Sequence, residues 1–168
     1  GTLTSFTNGM ETLVQVLAAA LGDKLVCNAR VGAMARDGEV WRVETSAGAT
    51  LTAQHLVLAC PAWNAASLLG GVDAELAQLV GAIDSAPVAV VCLGYATSDV
   101  AHVKPGFGFL VPGREKGGIL GTLFDTWIFP QRSPAGHVLW RTMVGGAREP
   151  KAVDLADAAL VDRALQAF

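Results

Sequence analysis

Residues 105–146 carry four phrases in a row: PGFGFLVP (105–112), ILGTLFD (119–125), IFPQR (128–132) and LWRTMVGG (139–146). Each is a short apolar run broken by Gly or Pro, the pattern of a strand bounded by turns. Strands are therefore expected at 108–111, 119–125 and 137–144. Just upstream, 86–95 is β-branched and apolar on both faces, which predicts a buried strand. Downstream, 152–168 predicts a closing helix with Leu160, Val161, Ala164, Leu165 and Phe168 on one side. Asp154 and Asp157 both qualify as its cap.

Working back towards the start, residues 8–22 predict a helix with both ends marked. Asn8 is placed to cap it and Glu11 to reach back, Met10, Leu13, Val14, Leu17 and Leu21 form one apolar stripe, and Gly22 ends it. A β-meander follows, its runs separated by Asp37-Gly38 and Ala47-Gly48. Its last strand, 54–59, is apolar on both faces and is expected in the middle of a larger sheet. Pro61 stops that strand, and short helices are expected at 62–69 and 73–80, the second capped by Asp73. A change of composition near 61–71 places a boundary there. The fold expected is α+β: a helix plus meander in 1–62, then a mixed sheet flanked by helices in 63–168.

Composition narrows the functions open to such a chain. At 168 residues it is one domain or two small ones. Hydrophobic residues make up 52% and the mean hydropathy is +0.43. Even so, the runs APVAVVCLG and LVLACPAW fall far short of the ~20 residues that cross a bilayer. Twelve basic and 15 acidic residues are dispersed, for a net charge of −3, so no basic stripe argues for nucleic acid. Cys27, Cys60 and Cys92 each lie inside an apolar run and are expected as buried, reduced thiols of a cytoplasmic protein. His55, His102 and His137 are scattered, and no metal site or catalytic triad is assigned. Gly117, Gly118 and Gly121 imitate part of a dinucleotide fingerprint, but without a GxGxxG between strand and helix they read as a hairpin turn.

In order and spacing, the phrases of 105–146 resemble the substrate domain of the FAD-dependent protoporphyrinogen oxidases, within the flavin amine oxidase superfamily. The upstream segments SFTNGMETLVQVLAAAL (5–21), NARVGAM (28–34) and LVLACPA (56–62) resemble that superfamily's flavin-binding part, with Asn8 standing where a Gly is usual. The Gly-rich flavin-phosphate segments at the family's two ends are absent, so the resemblance is to a middle portion.

The resemblance implies specific roles. Val31 corresponds to the residue whose backbone reads the adenine of FAD, and Ala59, Cys60 and Pro61 to further cofactor contacts. Phe107, Gly108 and Leu110 match one wall of the porphyrinogen cavity, and Met143 a residue facing it. A large, mostly apolar macrocycle suits an aromatic ring, a glycine that admits close approach and a flexible thioether. Phe107 and Met143 are expected to open on one cavity. No protein acid or base is assigned, because the cofactor carries the chemistry. Arg114, Arg132, Arg141 and Arg148 could pair with substrate carboxylates, but exposed loop arginines are the plainer reading. Asp125 and Glu115 show no partner in the sequence.

The implied function is oxygen-dependent oxidation of proto- or coproporphyrinogen in haem biosynthesis, by a protein that is cytoplasmic or peripheral on a membrane. The isolated chain is expected to hold no FAD and to self-associate. Two alternatives remain open: another flavin amine oxidase or carotenoid desaturase, and a non-enzymatic carrier of hydrophobic ligands.

Overall fold

The computed structural model describes residues 3–115 and 118–167. Gly117 of the glycine cluster and Phe168 of the closing helix lie outside the described residues. Two compact units make up the chain, Gly1–Asp84 and Ser85–Phe168, and both combine helices with antiparallel strands, an α+β fold. No helix among the described residues is long and apolar enough to cross a membrane.

The first unit opens with helix α1 (Glu11–Leu21). Asn8 does not cap it. A turn at Thr7 and Asn8 leads in, Met10 takes the cap position in helical geometry, and no side chain accepts from the first turn. A side-chain cap needs an extended residue at that point, and this entry offers none. The other end follows expectation: Gly22 (φ +51°) closes the helix through its N–H to the Ala18 carbonyl. The apolar stripe of Met10, Leu13, Val14, Leu17 and Leu21 is exposed throughout.

Strands β1 (Val31–Asp37), β2 (Val40–Thr45) and β3 (Thr50–Ala53) form the expected meander, ordered β1-β2-β3, with the first turn at Gly38-Glu39, one residue later than expected because Asp37 still pairs with Val40, and the second around Ala47-Gly48. The next segment, 54–59, has no regular secondary structure and pairs with no strand, and its Val57 is 85% exposed. Here the expectation of a buried strand is overturned. Apolar side chains on two faces call for neighbours on both, and none of the described strands supplies them. Pro61 ends the segment and caps α2 (Ala62–Leu69). Helix α3 (Ala74–Gly81) packs on α2, and Asp73 Oδ1 accepts from the Leu76 N–H at 2.9 Å, as a cap should. The buried apolar residues here are Met34 of β1 with Ala65 and Leu69 of α2.

The second unit is a four-stranded sheet, ordered β4-β7-β6-β5, from β4 (Val88–Ala96), β5 (Gly108–Leu110), β6 (Gly121–Leu123) and β7 (His137–Gly145). All its pairings are antiparallel, where a mixed sheet is expected. A parallel pair needs a crossover that returns the chain to the same edge, and these connections return it the other way. Asp125 opens a short helix, α4 (Asp125–Ile128), instead of ending a strand. The closing helix is split into a 3₁₀ turn at Pro150–Asp154 and α5 (Asp157–Leu165), with Ala156 at the cap position. Neither Asp154 nor Asp157 caps with its side chain, because Asp154 ends the preceding turn and Asp157 is already helical.

Strand alternation gives this sheet two unlike faces. Val91, Val138, Trp140, Thr142, Val144 and Thr122 point to the covered face, where they are buried. Val91 and Val144 pack with Ile119, Ala152 and Ala164, while Val138 and Trp140 pack with Val100 and Phe124. Phe124 sits 4.9 Å from the Trp140 ring and 5.0 Å from Trp127, the latter edge to face. Within this apolar layer the hydroxyls of Thr122 and Thr142 satisfy each other at 2.8 Å. Strand β4 is therefore buried on one face only: Val88, Val90, Cys92 and Gly94 of the other face are exposed.

Candidate functional site

A cleft of about 620 Å³ lies in the first unit between the start of β1, the unpaired segment and α2. The chain reaches it through Asn28 in the left-handed region (φ +57°), and the β1–β2 register slips between Val31 and Ala33. Such an irregularity bends an edge strand and re-aims its backbone groups. Val31, Gly32, Met34, Val43, Leu56, Leu58, Ala59, Cys60, Asn64, Ser67 and Leu68 are among the lining residues. Three of the four expected cofactor contacts, Val31, Ala59 and Cys60, thus converge on one cleft, and Pro61 stands beside it as the cap of α2.

The lining suits the adenine end of a dinucleotide. Leu58, Met34 and Val43 offer apolar walls for a flat ring, while backbone groups and Asn64 and Ser67 offer polar partners for its edge. Among the described residues no strand, glycine-rich turn and helix stand ready for the pyrophosphate. The contributions of Gly32, Met34, Asn64, Ser67 and Leu68 are absent from the sequence reading. Only the position of α2 directly after LVLACP hinted that its first turns would face the same space.

The cysteines are not the buried thiols expected. Cys27, Cys60 and Cys92 are free and exposed. Cys60 borders the cleft, and Cys92 belongs to the open face of β4, opposite Arg141 in the register. An apolar run predicts burial only where something covers the face it occupies. No group of three or more potential metal ligands clusters among the described residues.

The second candidate region is the open face of the four-stranded sheet. Register places Val90, Met143, Gly121 and Leu110 in one row across it, and Cys92, Arg141, Leu123 and Gly108 in the next. Three of the four expected substrate contacts, Gly108, Leu110 and Met143, therefore occupy positions on one face. Leu110 is 78% exposed, and Met143 partly so. Phe107 stands one residue outside β5, 58% exposed, its carbonyl accepting the Phe124 N–H at 3.1 Å. Gly108 also meets a need within the sheet. Its φ is +130°, and a Cβ there would collide with the Thr122 carbonyl oxygen and lie 2.9 Å from the Leu123 Cα. The close approach that glycine permits is to β6, within the sheet.

Asp125 and Arg141 form a two-pronged pair on this face. Arg141 Nη2 donates to Asp125 Oδ1 at 2.6 Å and Nε to Oδ2 at 3.1 Å. Asp125 is thus partnered, and Arg141 is a strand residue rather than a loop one. Three other arginines are engaged elsewhere: Arg148 donates to the Val111 carbonyl, Arg132 lies over the Phe129 ring, and Arg163 forks onto Glu149 at 2.8 and 2.9 Å. The hydrogen bonds from Arg163 hold the Glu149 carboxyl below its ordinary value. Desolvation pushes the Tyr95 phenol up.

Comparison with known proteins matches the whole chain, residues 1–168, to the flavin containing amine oxidoreductase family. The protoporphyrinogen oxidase of Homo sapiens is 34% identical over 154 residues, which is 85% of this chain and 30% of that protein. The coproporphyrinogen III oxidase of Bacillus subtilis (strain 168) is 26% identical over 99% of this chain and 35% of its own length. A crystal structure from Exiguobacterium sp. 255-15, provisionally named protoporphyrinogen oxidase, superposes with a TM-score of 0.84 at 23% identity, over 96% of this chain and 35% of that one. The chain spans about a third of the length of these relatives.

Proposed function

Because the chain belongs to the flavin containing amine oxidoreductase family, we propose that it is part of an FAD-dependent, oxygen-dependent oxidase of porphyrinogens in haem biosynthesis. Residues 1–62, with Asn64, Ser67 and Leu68 of α2 completing the cleft wall, serve the flavin, and the four-stranded sheet that follows serves the substrate. The observation that carries this reading is the convergence of Val31, Ala59 and Cys60 on one cleft. Relatives named for protoporphyrinogen and coproporphyrinogen III support the substrate class, and both substrates remain within it.

The work of this chain's residues is binding and orientation. The Val31 backbone and the Ala59–Cys60–Pro61 turn hold the adenine end of the flavin. FAD bound there would supply hydride acceptance from the porphyrinogen and oxygen-dependent reoxidation with peroxide as product. Phe107, Leu110 and Met143 present apolar surface to the macrocycle and exclude water from it, while Gly108 keeps β5 close to β6 so that this surface stays continuous. No side chain is assigned a proton-transfer role.

Filling the cleft tests the cofactor half of the proposal. In the full-length protein, Ala59→Trp is expected to lower the flavin absorbance per mole of purified protein severalfold while the fold persists by circular dichroism. Undiminished flavin content in a folded variant would place the cofactor elsewhere.

A further inference from the structure

Resting on the porphyrinogen reading above, we propose that Arg141 selects for a carboxylate on the substrate, with Asp125 as the positioning residue that aims it. Arg141 is the only lysine or arginine among the described strand positions of the open face. Its neighbours in the register are Cys92 and Leu123, with Met143 two residues along the same strand. A guanidinium carries five N–H donors in a rigid fork. The contact with Asp125 uses two. The other three have no further protein hydrogen bond among the described residues, and the side chain is 43% exposed.

Asp125 decides where those free donors point. It is only 7% exposed, fixed at the first residue of α4, and holds the guanidinium in a two-pronged grip instead of letting it swing into water. The pair is neutral as a whole, so the attraction it offers a ligand is directional rather than long-range. A carboxylate brought in by a largely apolar macrocycle would meet charge-assisted donors, and hydrogen bonds between ionised partners are stronger than neutral ones. An ester at the same position keeps the carbonyl acceptor and loses the charge. The open face thus distinguishes a ring bearing free carboxylates from its esterified counterpart.

A purely structural pair, stitching α4 to β7, would affect stability and leave that distinction alone. The test measures the full-length holoenzyme oxidising protoporphyrinogen IX and its dimethyl ester under matched detergent. The wild-type protein is expected to show a KM for the diacid about tenfold below that for the ester. The neutral variant Asp125→Asn/Arg141→Gln, which leaves no buried charge unpaired, is expected to bring the ratio near one. Arg141→Lys keeps the charge without the fork and is expected to lower the ratio at least about threefold, so it stands in should the double variant not fold. A ratio unchanged in the folded variants overturns the role of Arg141 alone. A flavin-loaded wild-type protein that oxidises neither compound overturns the porphyrinogen reading, and this proposal with it.

Discussion

Gly108 shows how one residue can look functional and be structural at the same time. Its missing Cβ leaves room for the Thr122 carbonyl of β6, and its φ of +130° is one that side-chain-bearing residues rarely adopt. Gly108→Ala is therefore expected to lower stability by about 2 kcal/mol or more in urea unfolding. Leu110→Ala, two positions along on the open face, should change it by less than about 0.5 kcal/mol. The Thr122–Thr142 pair makes a second test of residue-scale physics. Thr122→Val strands a buried hydroxyl on Thr142 and should cost about 1–3 kcal/mol, most of it regained when Thr142→Val is added. Glu149 supplies a pH signature. Its carboxyl is held below the ordinary value of 4.5 by Arg163, so its contribution is complete above that value and is lost as pH falls through the depressed one. Glu149→Gln should accordingly show a smaller drop in Tm than wild type between neutral pH and strong acid.

At the scale of elements, what the sequence made legible was what its local chemistry decides. Helix α2 falls at Ala62–Leu69 as the pattern after Pro61 predicts, and Asp73 caps α3 because an Asp before an apolar-periodic run has few better uses. A tight turn at Gly38-Glu39 joins β1 and β2, with Gly38 supplying the positive φ and Asp37 held in the ladder opposite Val40. What was not legible depends on partners outside the local window. An apolar run states a preference for burial and is silent about what does the burying, so segment 54–59, the outward face of β4 and all three cysteines are exposed against expectation. The cleft was legible as four residues and not as a space, since Met34 and Ser67 reach it only through the packing of α2 on β1. The open face of the β4-β7-β6-β5 sheet was readable from Gly108, Leu110 and Met143, while Phe107 stands outside β5 and the Asp125–Arg141 pair spans 16 residues and leaves no periodic trace. The face itself can be tested as an element. In the full-length protein Phe107→Ala should raise the KM for porphyrinogen about fivefold or more, and Met143→Ala less, with flavin content unchanged in both. Loss of flavin with unchanged KM would move Phe107 to the cofactor side.

For the molecule as a whole, apolar surface is the dominant fact. The α1 stripe, Val57 and the open sheet face are each exposed in the two units described, and monomers rarely carry exposed apolar patches beyond roughly a few hundred Å². The isolated chain is expected to self-associate, with an apparent mass that rises with concentration in sedimentation. It should also purify colourless, because a cleft proposed to hold only the adenine end leaves the pyrophosphate without a helix N-terminus; flavin absorbance retained after desalting would mean that the cleft binds the cofactor unaided. The central claim, that this chain belongs to a porphyrinogen-oxidising flavoprotein, is tested most directly on the full-length protein. Purified and supplied with protoporphyrinogen and coproporphyrinogen in air, it should show flavin absorbance and generate porphyrin fluorescence from at least one of them well above the rate of spontaneous oxidation. A yellow protein that leaves both at the spontaneous rate, or a folded protein that binds no flavin at all, would contradict the account.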